Sequence, residues 1–107
     1  MFTAKALNKR ITDFLYALEE NNFQVEKAIL FGSYANNSYD VNSDIDVALV
    51  SPNFNGFGFE DRKFFSKINI KKEFVVIETK TFPTAYFEKG DPFIKEILRS
   101  GIVVYGK

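Results

Sequence analysis

Apolar positions at Leu7, Ile11, Phe14, Leu15 and Leu18 recur at helical spacing, while Lys5, Lys9, Arg10, Asp13 and Glu20 take the other faces. This pattern predicts an amphipathic helix over residues 3–20, with Thr3 as N-cap and Asn21-Asn22 as the stop. Ala28-Ile29-Leu30-Phe31 is a continuous apolar run ending at Gly32, the profile of a buried strand that stops at a turn. Residues 34–43 are polar and read as a short helical turn and loop. From Asp44 to Val50 the pattern alternates: Asp44, Asp46, Ala48 and Val50 on one face, Ile45, Val47 and Leu49 on the other. Ser51 to Gly58 reads as an aromatic loop, with Phe54 and Phe57 as candidate partner contacts. Glu60 to Ile68 suits a short helix, and Glu73 to Thr81 a strand centred on Val75, Val76 and Ile77. Asp91-Pro92 opens another helix that carries Phe93, Ile94, Ile97 and Leu98 and ends near Gly101, before a closing strand over Ile102 to Tyr105. The order α-β-α-β-α-β-α-β predicts an α/β or α+β fold with a mixed sheet.

Composition narrows the chemistry. The 107 residues read as one domain over 1–107, with no repeat or linker to divide them. The chain has no Cys and no His, which excludes zinc fingers, disulfide frameworks, thiol nucleophiles and histidine general bases. Catalysis must run on carboxylates, hydroxyls, lysines, backbone groups or a metal held by oxygen. Fourteen Lys+Arg balance fourteen Asp+Glu, so the strongly basic surface of a stand-alone nucleic-acid binder is not expected. The start Met1-Phe2-Thr3-Ala4-Lys5 leads into charge rather than a signal-peptide apolar run, and no stretch approaches a membrane span; a soluble, cytoplasmic protein is expected. Thirteen Phe and five Tyr are many for this length, and core filling by large rings is the expected use of most of them.

The informative segment is Ile29-Leu30-Phe31-Gly32-Ser33, then ten residues, then Asp44-Ile45-Asp46-Val47-Ala48-Leu49-Val50. A strand delivers Gly32-Ser33 to a turn, where glycine permits close backbone approach and amides and a hydroxyl can donate to phosphate oxygens. Asp44 and Asp46, two apart on a strand, put both carboxylates on one face with α-carbons about 7 Å apart. Carboxylates so close repel unless a proton or cation lies between them, and with oxygen ligands the natural cation is Mg²⁺. Gly-Ser alone is commonly a turn and Asp-x-Asp alone two solvated acids. Together at this spacing they would arise by chance in about 1 % of chains of this size.

Leu30-Phe31-Gly32-Ser33-Tyr34-Ala35 and Ser43-Asp44-Ile45-Asp46-Val47-Ala48 resemble the signature of the polymerase-β-type nucleotidyltransferase superfamily, in particular its minimal nucleotidyltransferases. Pro92-Phe93-Ile94-Lys95-Glu96-Ile97 followed by Gly101-Ile102 is similar to that family's closing segment, so the resemblance covers nearly the whole chain. It implies the nucleotidyltransferase fold, an α/β (α+β) architecture whose mixed, mostly antiparallel four-stranded sheet is flanked by helices. It also implies that Gly32 and Ser33 hold the triphosphate and that Asp44 and Asp46 bind metal. A third carboxylate completes the catalytic set; Glu78 in Val76-Ile77-Glu78-Thr79 is the first candidate, with Glu73 and Asp61 as alternatives. The sequence departs from the family at Glu78, where many members have Asp, at Tyr34, where many have Arg, and at Asn37, where Gly is common. Lys63 and Lys67 are further candidates for phosphate contact.

The resemblance therefore implies an Mg²⁺-dependent enzyme, with one or two ions, that moves NMP from ATP or another NTP to a hydroxyl. The implied partner is a small helical HEPN-domain protein in a toxin–antitoxin pair, this chain being the antitoxin; a homo-oligomer is compatible, whereas a membrane or a nucleic-acid partner is not expected. The alternative is a catalytically inactive member of the same fold that binds and neutralises a partner. Transfer to a small molecule such as an aminoglycoside is less favoured, because no additional substrate domain is present.

Overall fold

The computed structural model describes residues 4–36, 38–40, 43–56, 58–63, 65–71 and 74–106; Thr3, Asn37, Phe57 and Glu73, each named above, lie outside the described residues. Helix α1 spans Ala4–Glu20 and strand β1 spans Lys27–Phe31, followed by a single 3-10 turn over Gly32–Tyr34. Strand β2 covers Ile45–Ser51. Two short helices follow, α2 at Gly58–Lys63 and α3 at Ser66–Asn69, then strand β3 at Ile77–Pro83. Helix α4 at Thr84–Lys89, helix α5 at Pro92–Ser100 and strand β4 at Ile102–Tyr105 complete the order.

The four strands form one sheet in the order β3-β2-β1-β4. β1 pairs antiparallel with both β2 and β4, and β2 pairs parallel with β3, so the sheet is mixed and mostly antiparallel as expected. A parallel neighbour requires a crossover connection. The segment holding α2 and α3 supplies it. The period-2 pattern of β2 places Ile45, Val47 and Leu49 in the core beneath α1 and α3, with Leu7, Ile11, Phe14, Leu18, Phe65 and Ile68. Its other face carries Ala48 and Val50, packed with Ile29, Phe82, Phe87, Ile94 and Ile97 under α4 and α5. Both sheet faces are therefore covered at mid-sheet, and Asp46 stands at the end of the second row. Among the described residues no helix is long and apolar enough to cross a membrane.

Three expectations are corrected. The single helix over Glu60 to Ile68 is broken between α2 and α3, where Phe65 takes φ −130° and ψ 16°. The break turns the Phe65 ring into the core against Phe14, Phe23 and Phe54. The strand expected over Glu73 to Thr81 begins only at Ile77, because residues 74–76 form a turn and Val75 is exposed; pairing of Ile45 with Ile77 fixes where the ladder starts. Phe54, expected as a partner contact, is 4 % exposed and belongs to the core. Helix α4 was not anticipated. Two other boundary signals hold: Asn22 takes φ 63° after α1, and Asp91 caps α5 by accepting a hydrogen bond from the Ile94 amide at 2.7 Å.

Candidate functional site

The site is built at one end of the sheet, where β1 runs out into the 3-10 turn and β2 begins. Phe31 pairs with Asp46 across the antiparallel ladder, and Asp46 pairs with Glu78 across the parallel one. Residues paired across a ladder share a face, so Phe31, Asp46 and Glu78 lie side by side on the α5 side of the sheet. Asp44 precedes β2 and is exposed; Glu78 is also exposed, and Asp46 is half-buried.

Gly32 has φ +73°, a conformation that L side chains rarely adopt. A β-carbon there would stand 2.3 Å from Asp46 Oδ2, so the Asp46 carboxylate occupies the space that only glycine leaves open. Ser33 follows within the same turn, which is closed by the Ala35 and Asn36 amides donating to the Gly32 carbonyl at 3.1 and 3.2 Å. The turn therefore brings Gly32 against Asp46. Tyr34 is buried and stacks on Tyr39 with ring centroids 4.6 Å apart and planes 8° from parallel. It is a core residue rather than a substitute for a phosphate-binding arginine.

The electrostatics are those of crowded acids. Burial raises the Asp46 carboxyl above its ordinary value, and the charges of Glu78 and Asp44 raise it further; Lys80 opposes them. Sequence reasoning missed Lys80. Its signal was the Glu78-Thr79-Lys80 alternation, which puts a cation two residues along the same face of β3. Lys63 and Lys67, the lysines singled out from sequence, are exposed on α2 and α3.

Asp61, the alternative third carboxylate, has a different role. It is fully buried, and accepts hydrogen bonds from the Asn55 amide at 2.9 Å, the Gly56 amide at 3.1 Å and Thr81 Oγ1 at 2.9 Å. It ties the loop after β2 to β3 and leaves Glu78 as the acid beside Asp46. Asn69 steadies the start of β3 by donating to the carbonyls of Phe74 and Ile77 at 2.9 and 3.2 Å.

A cleft of about 380 Å³ opens beside the acids, lined by Asp44, Glu78, Arg62 and Asn69 among others. A larger one of about 470 Å³ lies between α1 and β4, away from the carboxylates, so size does not mark the chemistry. Among the described residues no group of three or more Asp and Glu side chains is already arranged to hold a metal ion. The donor set nonetheless fits a hard cation in kind. Three carboxylates stand close enough for two of them to raise the proton affinity of the third, and their oxygens suit Mg²⁺.

A family model described as "Polymerase beta, Nucleotidyltransferase" matches residues 14–107. No curated protein matches the chain. Among solved structures, the chain is similar to a proposed nucleotidyltransferase from Sulfolobus solfataricus at 16 % identity and a TM-score of 0.67, covering 94 % of this chain and 81 % of that one. It is also similar to a toxin–antitoxin solved with AMP-PNP, at 18 % identity and a TM-score of 0.59, covering 94 % of this chain and 73 % of that one. At these identities the likeness is one of fold.

Proposed function

This chain belongs to the polymerase beta nucleotidyltransferase family, and we propose that it acts as one minimal domain over residues 1–107, moving AMP from ATP to a hydroxyl on a partner protein in the cytoplasm. The observation that carries this reading is the register: Asp46 lies directly beside Glu78 on the next strand while its carboxylate fills the space at Gly32. Gly32 and Ser33 hold the triphosphate through backbone amides and the Ser33 hydroxyl. Asp44, Asp46 and Glu78 would hold Mg²⁺, which when bound neutralises the charge of the triphosphate and of the departing pyrophosphate. Glu78 orients the acceptor hydroxyl and takes its proton. The acceptor oxygen then bonds to the α-phosphorus, and the bond from that phosphorus to the pyrophosphate oxygen breaks. Lys80 limits the mutual repulsion of the acids before substrate arrives. Most of the rate comes from positioning and charge neutralisation, without a covalent enzyme intermediate.

The acceptor we propose is a small helical HEPN-type protein, with this chain as its antitoxin. Its support is the fold neighbour solved as a toxin–antitoxin with AMP-PNP, together with a balanced charge that offers little grip on a nucleic acid. The test is transfer of label from α-labelled ATP to a co-expressed helical partner, with intact mass to detect added AMP. Labelling by wild type that falls more than about 100-fold in Asp44→Ala or Asp46→Ala is expected. No labelling by wild type, or equal labelling by the variants, overturns the proposal.

A second reading is a catalytically silent binding module. The specific observation in its favour is that Tyr34, which stands where many members of the family carry Arg, is buried and stacked on Tyr39 rather than turned toward the acids. A complex that persists in Asp44→Ala, with no modification of the partner by wild type, selects it.

A further inference from the structure

The mechanism above uses the carboxylates and the Gly32-Ser33 turn but leaves the ring cluster beside them without a role. Phe31 immediately precedes Gly32 and is the strand partner of Asp46, with α-carbons about 5 Å apart in such a pair. Its ring meets Phe93 edge to face with centroids 6.0 Å apart, and Phe93 meets Phe82 at 6.3 Å. Phe93 lies in the first turn of α5 and is 45 % exposed although rings hold it on two sides. A ring fixed by edge contacts with an uncovered surface is a ready stacking platform. Of the other exposed aromatics among the described residues, Tyr16 and Tyr105 line the cleft between α1 and β4, and Tyr86 lines a cleft with Phe82 and Asp91 and spends its hydroxyl on the Asp91 carboxylate.

We propose that Phe93, backed by Phe31 and Phe82, is the platform on which the base of the bound nucleotide stacks. This rests on the nucleotidyltransferase reading of the acidic site and extends it to base recognition. The triphosphate and ribose are charged or polar and suit the turn and the acids. The base is the flat, weakly hydrated part of an NTP, and the apolar surface continuous with the site is the Phe31–Phe93 pair. Stacking accepts any base because every base has a π-face, with purines favoured by their larger area. The platform therefore supplies affinity and a purine preference rather than strict base selection.

The experiment measures equilibrium binding, with Mg²⁺ present, of ATP and of inorganic tripolyphosphate, which has no base. Wild type is compared with Phe93→Ala, Phe93→Trp and, as a control on the same helix, the half-exposed Leu98→Ala. Phe93→Ala is expected to weaken ATP about tenfold while changing tripolyphosphate less than about twofold. Phe93→Trp is expected to retain ATP affinity, and Leu98→Ala to match wild type for both ligands. Equal weakening of ATP and tripolyphosphate by Phe93→Ala, or unchanged ATP binding, overturns the platform. Unchanged ATP binding with loss of a partner complex also overturns it and assigns Phe93 to a protein interface. A wild type that binds neither ATP nor tripolyphosphate overturns the nucleotidyltransferase reading itself, and is thereby distinguished from failure of the platform alone.

Discussion

Asp46 is a residue whose placement costs stability in the metal-free protein. Folding half-buries it beside Glu78 and Asp44, which raises its carboxyl above the ordinary value of 3.8. A raised carboxyl binds its proton more tightly in the folded chain than in the unfolded one, so ionised Asp46 opposes folding. The opposition is absent below the ordinary value, where both states are protonated, and it grows as pH rises through the raised one. With a chelator present, Asp46→Asn is therefore expected to have a higher urea midpoint than wild type at pH 7, and the gap should close as pH falls below 3.8. Adding Mg²⁺ should raise the wild-type midpoint and not that of Asp46→Asn. A variant no more stable than wild type at pH 7 would show that the acids are already compensated by the fold. This residue was legible in the sequence because Asp-x-Asp after an apolar strand carries its own geometry. Lys80 was not, since a lone lysine on a strand acquires meaning only when β3 is known to lie against β2.

Helix α5 is held at its start by more than its own propensity. Asp91 accepts from the Ile94 amide and from the Tyr86 hydroxyl, which joins α4 to the start of α5. The Tyr86 bond, then the Ile94 amide, holds the Asp91 carboxyl below its ordinary value. A lowered carboxyl stabilises the fold above its unfolded value and ceases to do so as pH falls through the folded one. Asp91→Ala should thus lower the urea midpoint at neutral pH, with the difference shrinking on acidification below 3.8. A difference independent of pH would assign the loss to helix propensity alone. At this scale the sequence announced α1, β1, β2, α5 and β4, because each has a strong period or a cap. It misplaced β3, since the β-branched Val75 and Val76 read as strand while the ladder begins opposite Ile45. It merged α2 with α3, because only packing decides that Phe65 must turn inward. Helix α4 was hidden by its short length and by Pro83, which a local reading treats as punctuation although it ends β3 and precedes the helix directly.

Across the whole molecule the sheet separates scaffold from site. The Phe-rich core lies beneath α1, with Phe14 wholly buried against Phe65 and Phe74, while the acids and Phe93 belong to the opposite face. Phe14→Ala should cost about 3–5 kcal/mol, a large share of the roughly 5–15 kcal/mol typical of a domain, measured as a drop in urea midpoint. Where that variant remains folded, its affinity for tripolyphosphate should match wild type, because its cavity opens on the other side of the sheet. Loss of binding in step with stability would mean that the faces are coupled. The strand order has a kinetic consequence as well. β1 is central, yet its partner β4 follows the other described elements in chain order, and Leu30 meets Ile102 only after the intervening helices and both other strands have been synthesised. Such distant pairings slow folding and leave the open edge of β1 exposed in the nascent chain. A chain still emerging from the ribosome can therefore bring Asp46 and Glu78 together while β1 still presents an unpaired edge.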